Sequence, residues 1–196
     1  LVQLAKALGK IDQAEQYEQK AEEIRALVDE FGWDEKGYYI YAYNDDDKKI
    51  GASECKEGRI FLNPQTWAVL SGISYGNKAI TAMDNAEKEL SYELGTAVST
   101  PAYTEFDPTI GVMTQKAPGV QENGGVYLHS MCWKLAVDSL LKRSDRVMWD
   151  INHILPFTNP VVLNRAEPYV LCNCYMGKET GYRYGTPGQS WRTATS

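Results

Sequence analysis

Hydrophobic positions along this chain recur mostly at helical period, in blocks separated by glycines. Residues 1–9 carry an apolar repeat that Gly9 stops. Beyond it Ala14, Tyr17, Ala21, Ile24, Leu27 and Phe31 recur at three- and four-residue steps, while Glu15, Glu18, Lys20, Glu22 and Glu23 fall elsewhere. That spacing predicts an amphipathic helix capped by Asp12 and ended at Gly32. The aromatic run 33–43, followed by the polar tip Asn44-Asp45-Asp46-Asp47-Lys48-Lys49, predicts a strand or short β-hairpin leading into a loop. Asn63 as N-cap and Pro64 at the first helical position then open a largely apolar helix that ends at Gly72. Residues 77–90 give a more polar one.

Residues 91–121 break the pattern, with Gly95, Pro101, Pro108, Gly111, Pro118 and Gly119 spread along them and no sustained period. So long an irregular connection inside a compact domain is usually functional. From Val126 a mostly apolar helix carries Leu128, Met131, Cys132, Leu135, Ala136, Leu140 and Leu141, and another runs from Ser144 or Asp145 to Ile154. A short buried helix is expected from Glu167 to Gly177, then a Gly- and Tyr-rich loop, with something new starting at Ser190. Alternating buried and half-exposed helices predict an all-α toroid built from helical hairpins, with a short β-hairpin and long active-site loops.

The composition supports one domain over residues 1–196 with an ordinary globular core: 43% hydrophobic and 23% charged residues. A net charge of −6 without any Lys/Arg cluster argues against nucleic acid or an anionic membrane as partner. No run approaches the length of a membrane span, and the first residues lack a signal-peptide pattern, so a cytoplasmic location is the default. Leu1 begins inside a periodic segment with no initiator Met, so the chain is expected to be a piece of a longer one. Cys172-Asn173-Cys174 is tighter than a zinc knuckle and no second pair answers it, so reduced, partly buried thiols are expected and no metal. The aspartate run lacks the ligand alternation of an EF-hand and reads as a solvated turn.

Candidate chemistry concentrates in Gln121-Glu122-Asn123-Gly124-Gly125 and the helix after it. There a carboxylate, amides and a glycine pair precede His129, two turns inside a helix start whose N–H groups favour an anion. His153 lacks that setting and reads as structural. Thr193, beside the backbone N–H of Ala194 at a helix start, offers a second anion-binding geometry or simply an N-cap. Tyr38, Tyr39, Tyr41 and Tyr43 could stack on sugar rings or pack a core. Spacing alone implies no more than a polar mouth on a buried-helix domain, one that could bind an anion.

Four ordered blocks carry more. Ser53-Glu54-Cys55-Lys56-Glu57-Gly58-Arg59 with Asn63-Pro64-Gln65-Thr66-Trp67 is the first, and Pro118 through Tyr127-Leu128-His129 the second. Glu167-Pro168-Tyr169-Val170 and Ser190-Trp191-Arg192-Thr193 follow. In this order they resemble the cellobiose and chitobiose phosphorylases over nearly the whole chain. The resemblance implies the later half of an (α/α)6-barrel catalytic domain of an inverting glycoside phosphorylase, with inorganic phosphate as co-substrate and no other cofactor. It implies phosphate contacts from His129, Thr193 and the backbone of Ala194, and sugar contacts from Glu122, Gln121 and Asn173. The partners implied are a β-linked di- or oligosaccharide, the remainder of the parent chain, and a homodimer as an open alternative. The general-acid Asp of the family lies in a motif upstream of Leu1, so the piece by itself is expected to be inactive. Gln121 stands where cellobiose phosphorylases carry Lys, Asn173 where they carry Gln, and Ala194 where Gly is usual. A non-catalytic carbohydrate-binding piece and a hydrolase on a similar barrel are the competing classes.

Overall fold

The computed structural model describes residues 1–159, 161, 162, 165 and 170–188, and the chain divides into two compact units, Leu1–Trp33 and Asp34–Ser196. The first is a pair of helices, α1 (Val2–Ala7) and α2 (Ile11–Phe31), joined through Gly9 at φ 70°. Glycine adopts that left-handed turn without a Cβ penalty. Asp12 is not the cap that the sequence predicts: it lies in the first turn of α2, where its carboxylate meets the positive end of the helix dipole. Lys10 takes the cap position without a side-chain bond.

The second unit holds α3 (Leu62–Leu70), α4 (Gly76–Leu90), α5 (Leu128–Leu140) and α6 (Ser144–Ile154). Helix α5 packs against both α3 and α6, and α3 against α4. One core gathers Leu94, Val126, Leu128, Met131, Ile154 and Tyr175; a second gathers Tyr38, Ile60, Leu62, Ala86 and Leu90. Among the described residues no helix is long and apolar enough to cross a membrane. None of the four cysteines is in a disulfide, and Cys172 and Cys174 are buried.

The end of the aromatic run, Ala42–Tyr43, pairs with Lys49–Ile50, so the expected loop is itself the tip of a hairpin, closed by Asn44 Oδ1, which accepts from Asp46 N at 3.0 Å and Lys48 N at 2.9 Å. Helix dominates, but the unit carries more strand pairing than a single hairpin. Ile60–Phe61 pairs with Ser99–Thr100, and Ser91–Tyr92 with Gly95–Thr96, so the stretch predicted to be irregular holds short antiparallel ladders. Val126–Tyr127 pairs with Cys174–Tyr175, which starts α5 at Leu128 rather than at Val126. The same pairing corrects the short helix expected before Gly177: its described part is extended, and Leu128 N donates to Asn173 O at 3.0 Å. At Ile60–Phe61 and Val126–Tyr127 the partner that satisfies the backbone groups is distant in sequence, whereas Ser91–Tyr92 and Gly95–Thr96 close a local turn.

Asn63 and Pro64 also shift. Phe61 is at the N-cap of α3, so Pro64 falls within the first turn, where a missing N–H removes nothing. Asn63 turns its side chain to α5, where Oδ1 accepts from Ser130 Oγ at 2.8 Å. Gln65, fully buried, pins the chain at Tyr39: its Nε2 donates to Tyr39 O at 2.7 Å and its Oε1 accepts from Tyr39 N at 2.7 Å.

Candidate active site

The site is built on a tight turn before α5. Asn123 N donates to Val120 O at 3.0 Å, Gly119 N to Asn123 O at 2.7 Å, and Gly125 N to Gln121 O at 2.9 Å. Gln121 adopts φ 52° to make the reversal. The glycine pair serves this turn rather than a ligand. A Cβ at Gly125 would stand 2.6 Å from Gln121 O, and Gly124, at φ 86°, backs onto Ala102. Asn123 likewise does not open to a mouth. It is fully buried and accepts from Tyr103 N at 2.7 Å while donating to Tyr103 O at 2.8 Å and Lys116 O at 2.7 Å. With this clamp closed, Glu122 is left as the outward residue of the turn.

Glu122 and His129 face one cavity of about 270 Å³. Its walls include Tyr41, Phe61, Tyr127 and Trp133, together with Asn63 and Ser130. Tyr41 stacks on Phe61 with ring centroids 4.6 Å apart, and Trp133 is braced edge-on by Trp67 at 5.2 Å. Flat aromatic walls of this kind suit the C–H faces of a sugar ring. His129, the second residue of α5 rather than a residue two turns in, sits between Tyr127 and Trp133, at 5.6 and 6.0 Å between centroids. That places its half-buried imidazole in the first turn, where the helix dipole favours an anion.

Lys116 holds one oxygen of Glu122 through a direct ion pair, and Tyr127 Oη donates to the other at 3.4 Å. Tyr127 Oη in turn accepts from Asn173 Nδ2 at 2.9 Å. Partial burial pushes the Glu122 carboxyl up, but the Lys116 bond and charge, with the Tyr127 bond, outweigh it and set the net shift downward. The Tyr127 phenol moves the other way, chiefly through burial, so it remains a donor.

Of the residues singled out by sequence, Glu122 and His129 are brought together on the cavity. Gln121 and Asn173 lie off its lining, Asn173 reaching Glu122 only through Tyr127, with its buried Oδ1 unpartnered among the described residues. Thr193 and Ala194 lie outside the described residues. Of the four tyrosines, Tyr41 lines the cavity, while Tyr38 and Tyr39 are buried and Tyr43 is exposed. His153 stacks on Trp149 at 3.8 Å and its Nδ1 is 2.7 Å from Trp149 O, a packing role. Sequence reasoning passed over Lys116, Tyr127 and Trp133. The one signal for Trp133 was its spacing, four residues after His129 on the same helix face.

The clamp gives a first expected outcome. Asn123→Ala leaves two carbonyls and one N–H without their partner in a dry site, and stability should fall by about 3 kcal/mol. Denaturant unfolding of wild type and variant measures it; a loss below about 1 kcal/mol would mean that water replaces the amide.

Comparison with known proteins gives the family. Residues 1–196 match the catalytic domain of the Glycosyl hydrolase 94 superfamily. The chain is 35% identical over 175 residues to a solabiose phosphorylase of Paenibacillus borealis, covering 88% of this chain and 22% of that protein. It is 31% identical over 198 residues to an N,N'-diacetylchitobiose phosphorylase of Vibrio proteolyticus, covering 100% of this chain and 25% of that protein. It is 30% identical over 200 residues to a 3-O-beta-D-glucopyranosyl-beta-D-glucuronide phosphorylase of Paenibacillus borealis, again covering 100% of this chain and 25% of that protein. The chain thus spans about a quarter of the length of these relatives. Matched along its whole length, it belongs to the glycosyl hydrolase 94 superfamily, in the catalytic domain.

Proposed function

We propose that the protein carrying this chain is an inverting glycoside phosphorylase. Inorganic phosphate attacks the anomeric carbon of a β-linked di- or oligosaccharide, the glycosidic C–O bond breaks, and a sugar 1-phosphate leaves. The observation that carries this is one carboxylate and one imidazole, Glu122 and His129, facing a single aromatic-walled cavity. Phosphorylase-named relatives support the reaction, and one named for a β-D-glucopyranosyl-β-D-glucuronide supports a β-linked substrate.

The chemistry fits the residues. An inverting hydrolase needs two carboxylic groups, one to protonate the leaving oxygen and one to activate water. Phosphate is already an anionic nucleophile, so the second group gives way to hydrogen-bond donors that hold it. Glu122 is the one carboxylate among the described lining residues, and its place is beside sugar hydroxyls. His129 supplies a donor to phosphate, with Thr193 and the backbone of Ala194 completing the cradle. The proton for the glycosidic oxygen comes from an Asp on another segment, brought over the cavity by the rest of an (α/α)6 barrel.

Release of a sugar 1-phosphate by the full-length protein, dependent on added phosphate, tests this. Cleavage equally fast without phosphate would instead identify a hydrolase.

A further inference from the structure

We propose that Asn63 is a further donor to phosphate, its side-chain amide oriented by Ser130. This rests on the phosphate-binding half of the proposed function. None of the described residues lining the cavity is Lys or Arg, so an anion there is held by neutral donors and helix dipoles. Two helix starts meet at this cavity. Asn63 is the second residue of α3, and His129 and Ser130 are the second and third of α5. Each helix brings its positive dipole end to the same space.

The hydroxyls of the lining are already committed. Tyr127 Oη donates to Glu122 at 3.4 Å, and Oγ of the buried Ser130 donates to Asn63 Oδ1 at 2.8 Å. That second bond ties the first turn of α3 to the first turn of α5 and fixes which end of the Asn63 amide faces Ser130. Asn63 Nδ2 is then left with two hydrogens and no protein partner among the described residues. A sugar hydroxyl both gives and takes hydrogen bonds, whereas an anionic phosphate oxygen only accepts them. The –NH2 end of Asn63, which only donates, therefore suits phosphate, and Glu122, an acceptor on the same cavity, suits the hydroxyls.

Inorganic phosphate is the probe, and its binding to the full-length protein can be followed apart from turnover by tryptophan fluorescence, since Trp133 lines the cavity. Asn63→Ala should weaken phosphate binding by about 10- to 100-fold, the value of one hydrogen bond to a charged group. Asn63→Asp should weaken it further, because it keeps the shape and the acceptor for Ser130 but turns the donor into a like charge. A carboxylate in the first turn of α3 suits the helix dipole, so this variant folds and its loss is one of binding. Ser130→Ala, which lets the amide rotate, should cost about 2- to 10-fold, and Ser130→Thr, which keeps the hydroxyl, should restore affinity. In phosphorolysis the rise should fall on KM for phosphate and leave KM for the sugar unchanged. Wild-type phosphate affinity in Asn63→Asp overturns the assignment and leaves the phosphorylase reading standing, as does a rise confined to KM for the sugar. No saturable phosphate binding by wild type overturns both. Binding that weakens as expected in a protein that makes no sugar 1-phosphate supports Asn63 as the donor and overturns the catalytic proposal alone.

Discussion

Lys134→Met is expected to destabilise the protein by about 3–5 kcal/mol, the usual loss when one partner of a buried ionic cluster is removed. The Lys134 side chain is fully buried, with Nζ 2.7 Å from Asp150, 2.8 Å from Asp138 and 3.0 Å from Glu87. Arg143 adds a bond to Asp138 at 2.8 Å and to Asp84 at 2.7 Å, and Arg146 one to Glu87 at 3.0 Å. Three cations thus face four carboxylates, and Lys134 is the one paired with Asp150. Methionine keeps the length and packing of the stem, so the loss reports on charge.

The pH dependence sharpens this. Burial, aided by the Asp138 charge and opposed by Lys134, pushes Asp150 up from 3.8 to about 7. The unfolded chain therefore releases this proton first, and the Asp150 contribution to stability is full below about pH 4 and lost as pH rises toward 7. Lys134 is shifted upward as well. Burial pulls it down, but Asp150 and Asp138 outweigh that, so its contribution persists until pH exceeds the ordinary lysine range. Without Lys134, Asp150 holds its proton to still higher pH. The variant should then lose less at pH 5, where Asp150 is already neutral, than at pH 8. Urea unfolding at the two values decides it, and a loss that does not change with pH would mean that the cluster contributes packing and little charge.

His129→Ala in the full-length protein should lower kcat/KM for phosphate by about 100-fold or more, the scale found when one preorganised donor to a reacting anion is removed. Most of the change should fall on KM for phosphate, because His129 stands in the first turn of α5 and Glu122, the carboxylate proposed to hold the sugar, is a separate residue. Tilted contacts with Tyr127 and Trp133 on either side orient the ring, and alanine loses both the donor and those contacts. Phosphorolysis rates with each substrate varied in turn measure the split. Equal effects on the sugar and on phosphate would take His129 out of the phosphate contacts.

Local chemistry made much of the fold legible. Helices α2, α3, α4 and α6 fall where apolar periodicity and stopping glycines put them, because those signals act within one or two turns. Family membership was legible too, since four ordered motifs survive in a linear string. Glu122 and His129 were legible as a pair because they lie seven residues apart across a single turn and helix start.

What the sequence could not assign are the partners of its polar side chains. In sequence Asn123 is as available as Glu122, yet only the fold brings Tyr103 to it, 20 residues away, and buries it. Asn63 has the sequence setting of a helix cap, yet its bond is to Ser130, 67 residues on. The start of α5 moved because Val126 and Tyr127 pair with a strand nearly 50 residues later. Helical period and glycine stops are settled by neighbouring residues, so the sequence by itself determined where most helices lie. Burial and hydrogen bonding depend on groups that meet only when those helices pack. The tertiary structure alone therefore decided that Glu122 would face the cavity, that Asn123 would hold it there, and that Lys116 would be its counter-ion.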